Sequence, residues 1–160
     1  MATTNDLEKL IWDENDFEQM GWHDSKIYAI AFKDENFELA LDIDYIVEWI
    51  HPVGDETHFK FHLAPATLVF RNVWDLKINI ESNLDLEISD IHRDNPHQPK
   101  NAKQVQESIE YDWRIETNDG EITFKSIGYK QYFRKPPVLS NLQTLALRER
   151  GGISFEERCM

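Results

Sequence analysis

The chain has 160 residues, of which 41% are hydrophobic and 12% aromatic, and its formal net charge is −13. This length and apolar content predict a single domain, residues 1–160, with its own core, and they exclude a disordered tail. The negative charge argues against a nucleic-acid partner, because an acidic surface repels phosphates.

A short helical segment is predicted over residues 1–21. Leu7, Leu10 and Ile11 lie at i, i+3 and i+4, which places them on one face of a helix. Gly21 follows this pattern and is expected to end it.

Residues 26–135 show the period-two alternation that is typical of strands with one face in a core. In segment 37–44, residues such as Leu39 are expected to face the core, whereas Asp42 and Asp44 are expected to face solvent. The predicted strands span residues 26–33, 37–44, 58–63, 67–72, 74–81, 84–92, 109–117, 121–127 and 129–134.

About nine strands joined by short turns predict a mainly β fold, an antiparallel meander that forms a sandwich or a curled, barrel-like sheet. Asn118-Asp119-Gly120 is the clearest hairpin signal, because Asp-Gly supplies the positive φ that tight turns need. Residues 93–101 contain Pro96 and Pro99 and are predicted to be a loop.

A second short helix is predicted over residues 140–150. Leu142 and Leu145 share a helical face there, and Gly151-Gly152 follows. The predicted fold therefore has a β-sheet body with a short helix near each end.

Localisation follows from what the sequence lacks. A lone cysteine, Cys159, cannot form an intramolecular disulfide, so nothing indicates an oxidising compartment. No apolar run approaches the roughly 18 residues that a membrane-spanning helix needs, and the acidic start is unlike a signal peptide. We expect a cytoplasmic protein without a membrane partner.

The acidic residues are unevenly distributed. Residues 1–57 hold 15 Asp and Glu against 3 Lys, so this part carries −12 of the net charge. Such a surface steers an acidic protein toward a basic partner protein. The predicted contact residues are the carboxylates of the acidic stretches: Asp13, Glu14, Asp16, Glu18, Asp34, Glu35, Asp42, Asp44 and Glu48.

An alternative polar site combines a histidine–aspartate pair before the first strand with the polar loop that begins near residue 92. Asp24 or Ser25 is also expected to bond backbone amides at a turn, with Trp22 packing as a lid. The residues of this alternative site are His23, Asp24, His92, Arg93 and His97.

No metal, cofactor or catalytic residue is predicted. His58 and His62 share a strand face, but zinc needs three or four ligands, and Lys60 between them repels a cation. The sequence contains no G-x-S-x-G, phosphate-binding loop, dinucleotide fingerprint or paired-cysteine motif.

The segment W-H-D-S-K-I, Trp22 to Ile27, followed by an alternating hairpin, resembles the start of several small bacterial β-rich families. Some of those families are identified as immunity proteins of polymorphic toxin systems. The resemblance implies a standalone protein without established catalytic residues.

Two hypotheses about function follow. The first is a non-catalytic protein-binding module, in the form of an immunity-like acidic inhibitor of a basic partner. The second is a small-molecule-binding protein or enzyme with a pocket inside the curled sheet, which the aromatic residues would line.

Overall fold

The computed structural model describes residues 7 and 9–159, and their dominant feature is an antiparallel β-sheet. The strands are β1 (Ile11–Asp13), β2 (Ser25–Lys33), β3 (Glu38–Ile50), β4 (Lys60–Arg71), β5 (Trp74–Ile80), β6 (Leu86–His97), β7 (Glu110–Thr117), β8 (Gly120–Ser126), β9 (Gly128–Phe133) and β10 (Val138–Ser140). The α-helical turns are α1 (Ala102–Val105) and α2 (Leu147–Arg150), and two 3-10 turns span Glu14–Gln19 and Asp34–Asn36.

The strand order is β1-β9-β4-β3-β2-β6-β7-β8-β5, and β10 continues the edge of β4 beyond β9. We call β1, β9, β4, β3 and β2 the first half-sheet, and β6, β7, β8 and β5 the second half-sheet. The halves join where Ser25–Ile27 pairs with Leu86–Ile88. Within the described residues, β1 and β5 remain at opposite ends, so the sheet is not closed into a barrel. The predicted mainly antiparallel β fold is confirmed.

The core lies between the two half-sheets, because the sheet folds over on itself. Phe70 of β4 meets Phe124 of β8 with ring centroids 4.7 Å apart, although these strands are not neighbours in the sheet. Trp22, Trp113 and Tyr129 fill the middle and are at most 1% exposed. Side chains therefore occupy the interior in which the second hypothesis expected a pocket.

The outer face of the first half-sheet is partly buried, because residues 138–159 cross it. Asp42 and Asp44 of β3 are 0% exposed. The Arg150 guanidinium lies over them, with Nη1 donating to Asp42 Oδ2 at 2.8 Å and Nε donating to Asp44 Oδ1 at 3.0 Å. Arg134 Nη2 also donates to Asp42, at 2.7 Å. The expectation that these two aspartates face solvent is wrong, since the C-terminal segment covers that face.

Backbone amides and a phenol complete this buried network. Leu145 N and Ser154 N donate to Asp44 Oδ2 and Asp42 Oδ2, both at 2.9 Å. The Tyr28 hydroxyl donates to Asp44 Oδ2 at 2.6 Å, and the Arg150 guanidinium stacks 3.8 Å above the Tyr28 ring. Burial, and then the Asp44 carboxylate, raise the pKa of Tyr28 well above its ordinary value. The network holds the C-terminal segment on the sheet through charge-assisted hydrogen bonds.

The two predicted helices are much shorter than expected. Of segment 1–21, the described part forms strand β1 and then a 3-10 turn over Glu14–Gln19, while residues 1–6 and 8 lie outside the described residues. Of segment 140–150, only α2 is helical. The preceding residues lie along the sheet, because β10 pairs with β4 and Leu145 packs against Leu63.

Two strand boundaries also differ from the prediction. β4 runs unbroken through Pro65, which lies where the neighbouring strand changes from β9 to β10. β6 continues to His97 through the segment predicted as a loop, paired with β7 over a bulge between Asp94 and His97. The Asn118–Asp119 hairpin is confirmed, and Gly120 is required there because a Cβ would lie 2.0 Å from Asn79 O.

Candidate functional site

The outward side chains of the second half-sheet form polar rows, because opposite residues of antiparallel strands share a face. The row nearest the β7–β8 turn contains Asp90, Glu116 and Glu121, which are direct cross-strand neighbours. Their side chains are 58%, 47% and 47% exposed. Three carboxylates therefore stand side by side toward solvent.

Three further carboxylates, Asp85, Glu87 and Asp119, lie in or beside the adjoining β7–β8 turn. Asn118 ties the turn to β6, because its Oδ1 accepts from Glu87 N and its Nδ2 donates to Asp85 O, both at 2.9 Å. Glu81 N donates to Asp119 O at 3.2 Å, which holds the β5–β6 loop against the same turn. We call the six clustered residues the acidic end: Asp85, Glu87, Asp90, Glu116, Asp119 and Glu121.

The acidic end has a crowded electrostatic environment. Burial, and then the charges of Asp24 and Asp85, raise the pKa of Glu87 above its ordinary range. The pKa of Glu116, in contrast, is lowered, because His92 forms a hydrogen bond to this carboxylate at 3.1 Å. The fixed cations beside these groups include Lys26, opposite Glu87, and Arg114, 3.9 Å from Glu121.

A single apolar side chain projects from the loop between β5 and β6. Leu84 is 90% exposed and has a φ of +73°, a left-handed conformation that is costly for a residue with a branched side chain. Its amide is held by Ser82 Oγ at 3.1 Å. The loop therefore presents a leucine beside the acidic end.

The structure does not bring the nine predicted acidic contacts together. Asp42 and Asp44 lie under the C-terminal segment, and Asp16 is 5% exposed and bonded to Lys9. The buried members cannot meet a partner in this conformation, which corrects the prediction for them. Glu14 is tied to Arg71 at 2.8 Å.

The exposed members of that predicted set are spread over separate regions. Asp13 caps the first 3-10 turn, and Glu18 extends from its surface toward Arg93, 3.6 Å away. Asp34 and Glu35 form the exposed turn before β3, whereas Glu48 lies near the opposite end of β3.

The alternative polar site is also dispersed. His23 Nε2 lies 3.6 Å from Asp24 Oδ2, but Asp24 accepts from Gln143 Nε2 at 2.7 Å and not from a backbone amide as expected. Arg93 points inward, with its guanidinium 4.3 Å from the centre of the Phe17 ring, whereas His92 points outward to Glu116. Alternation along β6 sends these two neighbours to opposite faces.

His97 lies at the far end of β6 and forms a separate pair with Glu110. Its Nε2 is 2.8 Å from the carboxylate of Glu110, which is 2% exposed, and its Nδ1 is 2.6 Å from Asn95 O. The contact with the Asn95 carbonyl, and then the bond to Glu110, raise the pKa of His97 above its ordinary value of 6.5. The protonated imidazole is thus favoured by folding.

Stability is therefore expected to depend on pH through His97. A raised folded pKa stabilises the protein fully below about pH 6.5, and this contribution is lost as the pH rises through the folded pKa. His97→Gln keeps a donor for Glu110 without the charge, so it should lower the free energy of unfolding at pH 5.5 by about 1 kcal/mol or less. Urea unfolding from pH 5 to pH 8 measures this. A difference between the two proteins that stays constant over that range would contradict the assignment.

A groove of about 730 Å³ lies on the same outer face as the acidic end. Its lining alternates in charge, since Lys77, Arg114 and Lys125 stand among Asp75 and Asp112. Lys125 Nζ donates to Asp112 at 2.6 Å, so these charges already satisfy one another. The groove is thus open and charged, and it contains one ion pair between lining residues.

Comparison of the chain with protein-family models, with curated proteins and with solved structures gave no match. In residues 7 and 9–159 no helix has the length and apolar character to span a membrane. Over the same described residues, no three His, Cys, Asp or Glu side chains converge as metal ligands would.

Proposed function

We propose that this protein is a non-catalytic binding module whose acidic end contacts a basic partner protein. The observation that carries the proposal is the cross-strand row of Asp90, Glu116 and Glu121. Like charges directly opposite each other destabilise a sheet, and within the described residues the cations beside this row are His92 and Arg114. Lysine and arginine side chains of a partner would relieve the repulsion on binding.

Leu84 supports the same proposal. A leucine that is 90% exposed in a left-handed conformation contributes nothing to the core of this chain. Protein interfaces combine an apolar contact at the centre with a polar rim. Leu84 can enter an apolar pocket of the partner while the neighbouring carboxylates pair with cations around it.

In its specific form the proposal is an immunity-like inhibitor of a cationic enzyme. Electrostatic attraction raises association rates and favours oppositely charged partners, which suits a protein that must capture a toxic enzyme quickly. We infer a cytoplasmic location for it from the lone Cys159, which cannot form an intramolecular disulfide. A pocket inside the sheet has no supporting observation, because Trp22, Trp113 and Tyr129 fill that space.

The test measures association with the purified product of the neighbouring open reading frame. Neutralising the cross-strand row with Asp90→Asn, Glu116→Gln and Glu121→Gln should lower the association rate constant about tenfold or more at low salt. The same variant should weaken the dependence of that rate on ionic strength. Stopped-flow mixing over a range of salt concentrations gives both quantities.

The matched control is a variant with the same charge change elsewhere: Asp34→Asn, Glu35→Gln and Glu107→Gln, all exposed. At physiological ionic strength its rate should fall by less than about threefold, because salt then screens charges beyond a Debye length of about 8 Å. Equal losses in both variants would show an effect of net charge and not of the acidic end. A neighbouring product that is not basic, or that does not bind, would exclude the immunity-like form.

A further inference from the structure

A shallow double groove lies at the end of the first half-sheet, between the loop that joins β3 to β4 and the segment after β10. Two adjoining hollows of about 440 and 390 Å³ share Thr57, His58, Phe59 and Asn141. Each falls within the range of about 300–1,000 Å³ found for small-molecule sites. We call this feature the aromatic groove; it is separate from the acidic end.

Two large rings stand exposed in the aromatic groove. Trp49 and Phe59 are each 38% exposed, with ring centroids 6.1 Å apart and planes at 80°. Trp49 also packs edge-on against Phe61, which is 7% exposed, at 5.1 Å. His23 stacks on Trp49 at 6.0 Å. The rings therefore form a rigid apolar corner, although leaving them exposed forfeits the stabilisation that burial would give.

Apart from Leu142, the rest of the lining is polar, and its formal charges cancel. Thr57 and Asn141 supply hydroxyl and amide groups at the surface. Gln143 is oriented by the bond from its Nε2 to Asp24 Oδ2 at 2.7 Å, which leaves its carbonyl oxygen as an acceptor. Glu56 and Lys60 lie 3.8 Å apart and pair with each other.

The geometry points to a carbohydrate-binding site that holds a pyranose ring of a neutral oligosaccharide. A pyranose has an apolar face of C–H groups that fits an aromatic ring and a rim of hydroxyls that fits amide and hydroxyl side chains. Charge complementarity favours a neutral ligand, because the one lysine and the one carboxylate of the lining already satisfy each other. A phosphate would need free cations, and a lysine side chain would gain more from a free carboxylate than from the rings alone.

The experiment titrates the isotope-labelled full-length chain with three neutral trisaccharides, cellotriose, maltotriose and triacetylchitotriose, and follows amide and indole resonances by NMR. At least one sugar should bind with a dissociation constant of about 0.1–10 mM. The perturbed resonances should include the Trp49 indole and the amides of Phe59 and Asn141. Sorbitol, which has the hydroxyls but no ring face, should bind at least about tenfold more weakly.

Two groove variants and one control locate the site. Phe59→Ser and Asn141→Ala should each weaken sugar binding about tenfold, whereas Phe32→Ser, at an aromatic that is 62% exposed elsewhere, should not change it. Thermal unfolding shows whether each variant folds. If Phe59→Ser does not fold, the binding of sugar to Asn141→Ala alone decides the test. The proposal is overturned if no sugar perturbs the groove, if sorbitol binds equally well or if both variants bind as the parent does. The last probe is Nα-acetyl-lysine amide, whose ε-ammonium group is free. If this compound binds and no sugar does, the proposal is overturned in favour of a docking site for basic side chains.

Discussion

Replacing Arg150 with methionine is expected to lower the free energy of unfolding by about 3–5 kcal/mol, because it leaves two buried carboxylates without their main cation. The Arg150 side chain is 0% exposed and bonds Asp42, Asp44 and two backbone carbonyls, those of Ile43 and Gly152. Of the two aspartates, Arg134 contacts Asp42 and not Asp44. In Arg150→Met, Asp44 is therefore left without a cation. Urea unfolding at pH 7 measures the loss.

Two further variants separate charge burial from a general effect of mutating α2. Arg148→Met, an exposed arginine on the same turn, should change stability by less than about 0.5 kcal/mol. The quadruple variant Asp42→Asn, Asp44→Asn, Arg134→Met, Arg150→Met removes every charge of the buried network. It should recover much of the lost stability, since such a replacement is often close to neutral. A loss below about 1 kcal/mol in Arg150→Met would show that water reaches the carboxylates.

Trp22→Ala is the second change with a large expected effect, a loss of about 3–5 kcal/mol in the free energy of unfolding. Trp22 is 1% exposed and packs against Phe17 and Tyr129 with ring centroids 5.9 and 5.6 Å away. Its Nε1 donates at 2.8 Å to Oε1 of Gln131, a glutamine that is 0% exposed. The substitution thus creates a cavity and removes the partner of a buried amide.

A double-mutant cycle isolates the buried hydrogen bond. Trp22→Phe keeps most of the packing but leaves Gln131 Oε1 unpaired, at a cost of about 1–3 kcal/mol beyond the lost volume. Among the described residues, Gln131 Nε2 already has no hydrogen-bond partner although it is buried. Trp22→Phe combined with Gln131→Leu should therefore be more stable than Trp22→Phe alone. Strictly additive effects in the cycle would mean that the bond contributes nothing.

The sequence predicted the strands well because alternation is a local property of the chain. Segment 109–117 alternates over its whole length, and β7 occupies nearly the same residues, Glu110–Thr117. Alternation identifies the residues that share a face but does not identify what covers that face. The burial of Asp42 and Asp44 depends on Arg150, more than 100 residues later in the chain, so a local pattern could not reveal it.

The acidic end was missed for a related reason, although part of its signal was present. The Asn118–Asp119 turn places Glu116 opposite Glu121, and a two-residue hairpin read with its register would have shown that pair. The contribution of Asp90 needed the β6–β7 pairing, which contains bulges that alternation alone does not locate. The aromatic groove was equally inaccessible, since β10 and β4 must pair before Asn141 approaches Phe59.

The position of Arg150 in the chain has a consequence for synthesis on the ribosome. Asp42 is made 108 residues before Arg150. At about 5–20 residues per second, this separation corresponds to roughly 5–20 s of translation. During that interval the nascent β3 carries two hydrated, ionised aspartates on a face that later becomes dry. Their charges would keep the growing sheet from adhering to other nascent chains until the arginine emerges and neutralises them.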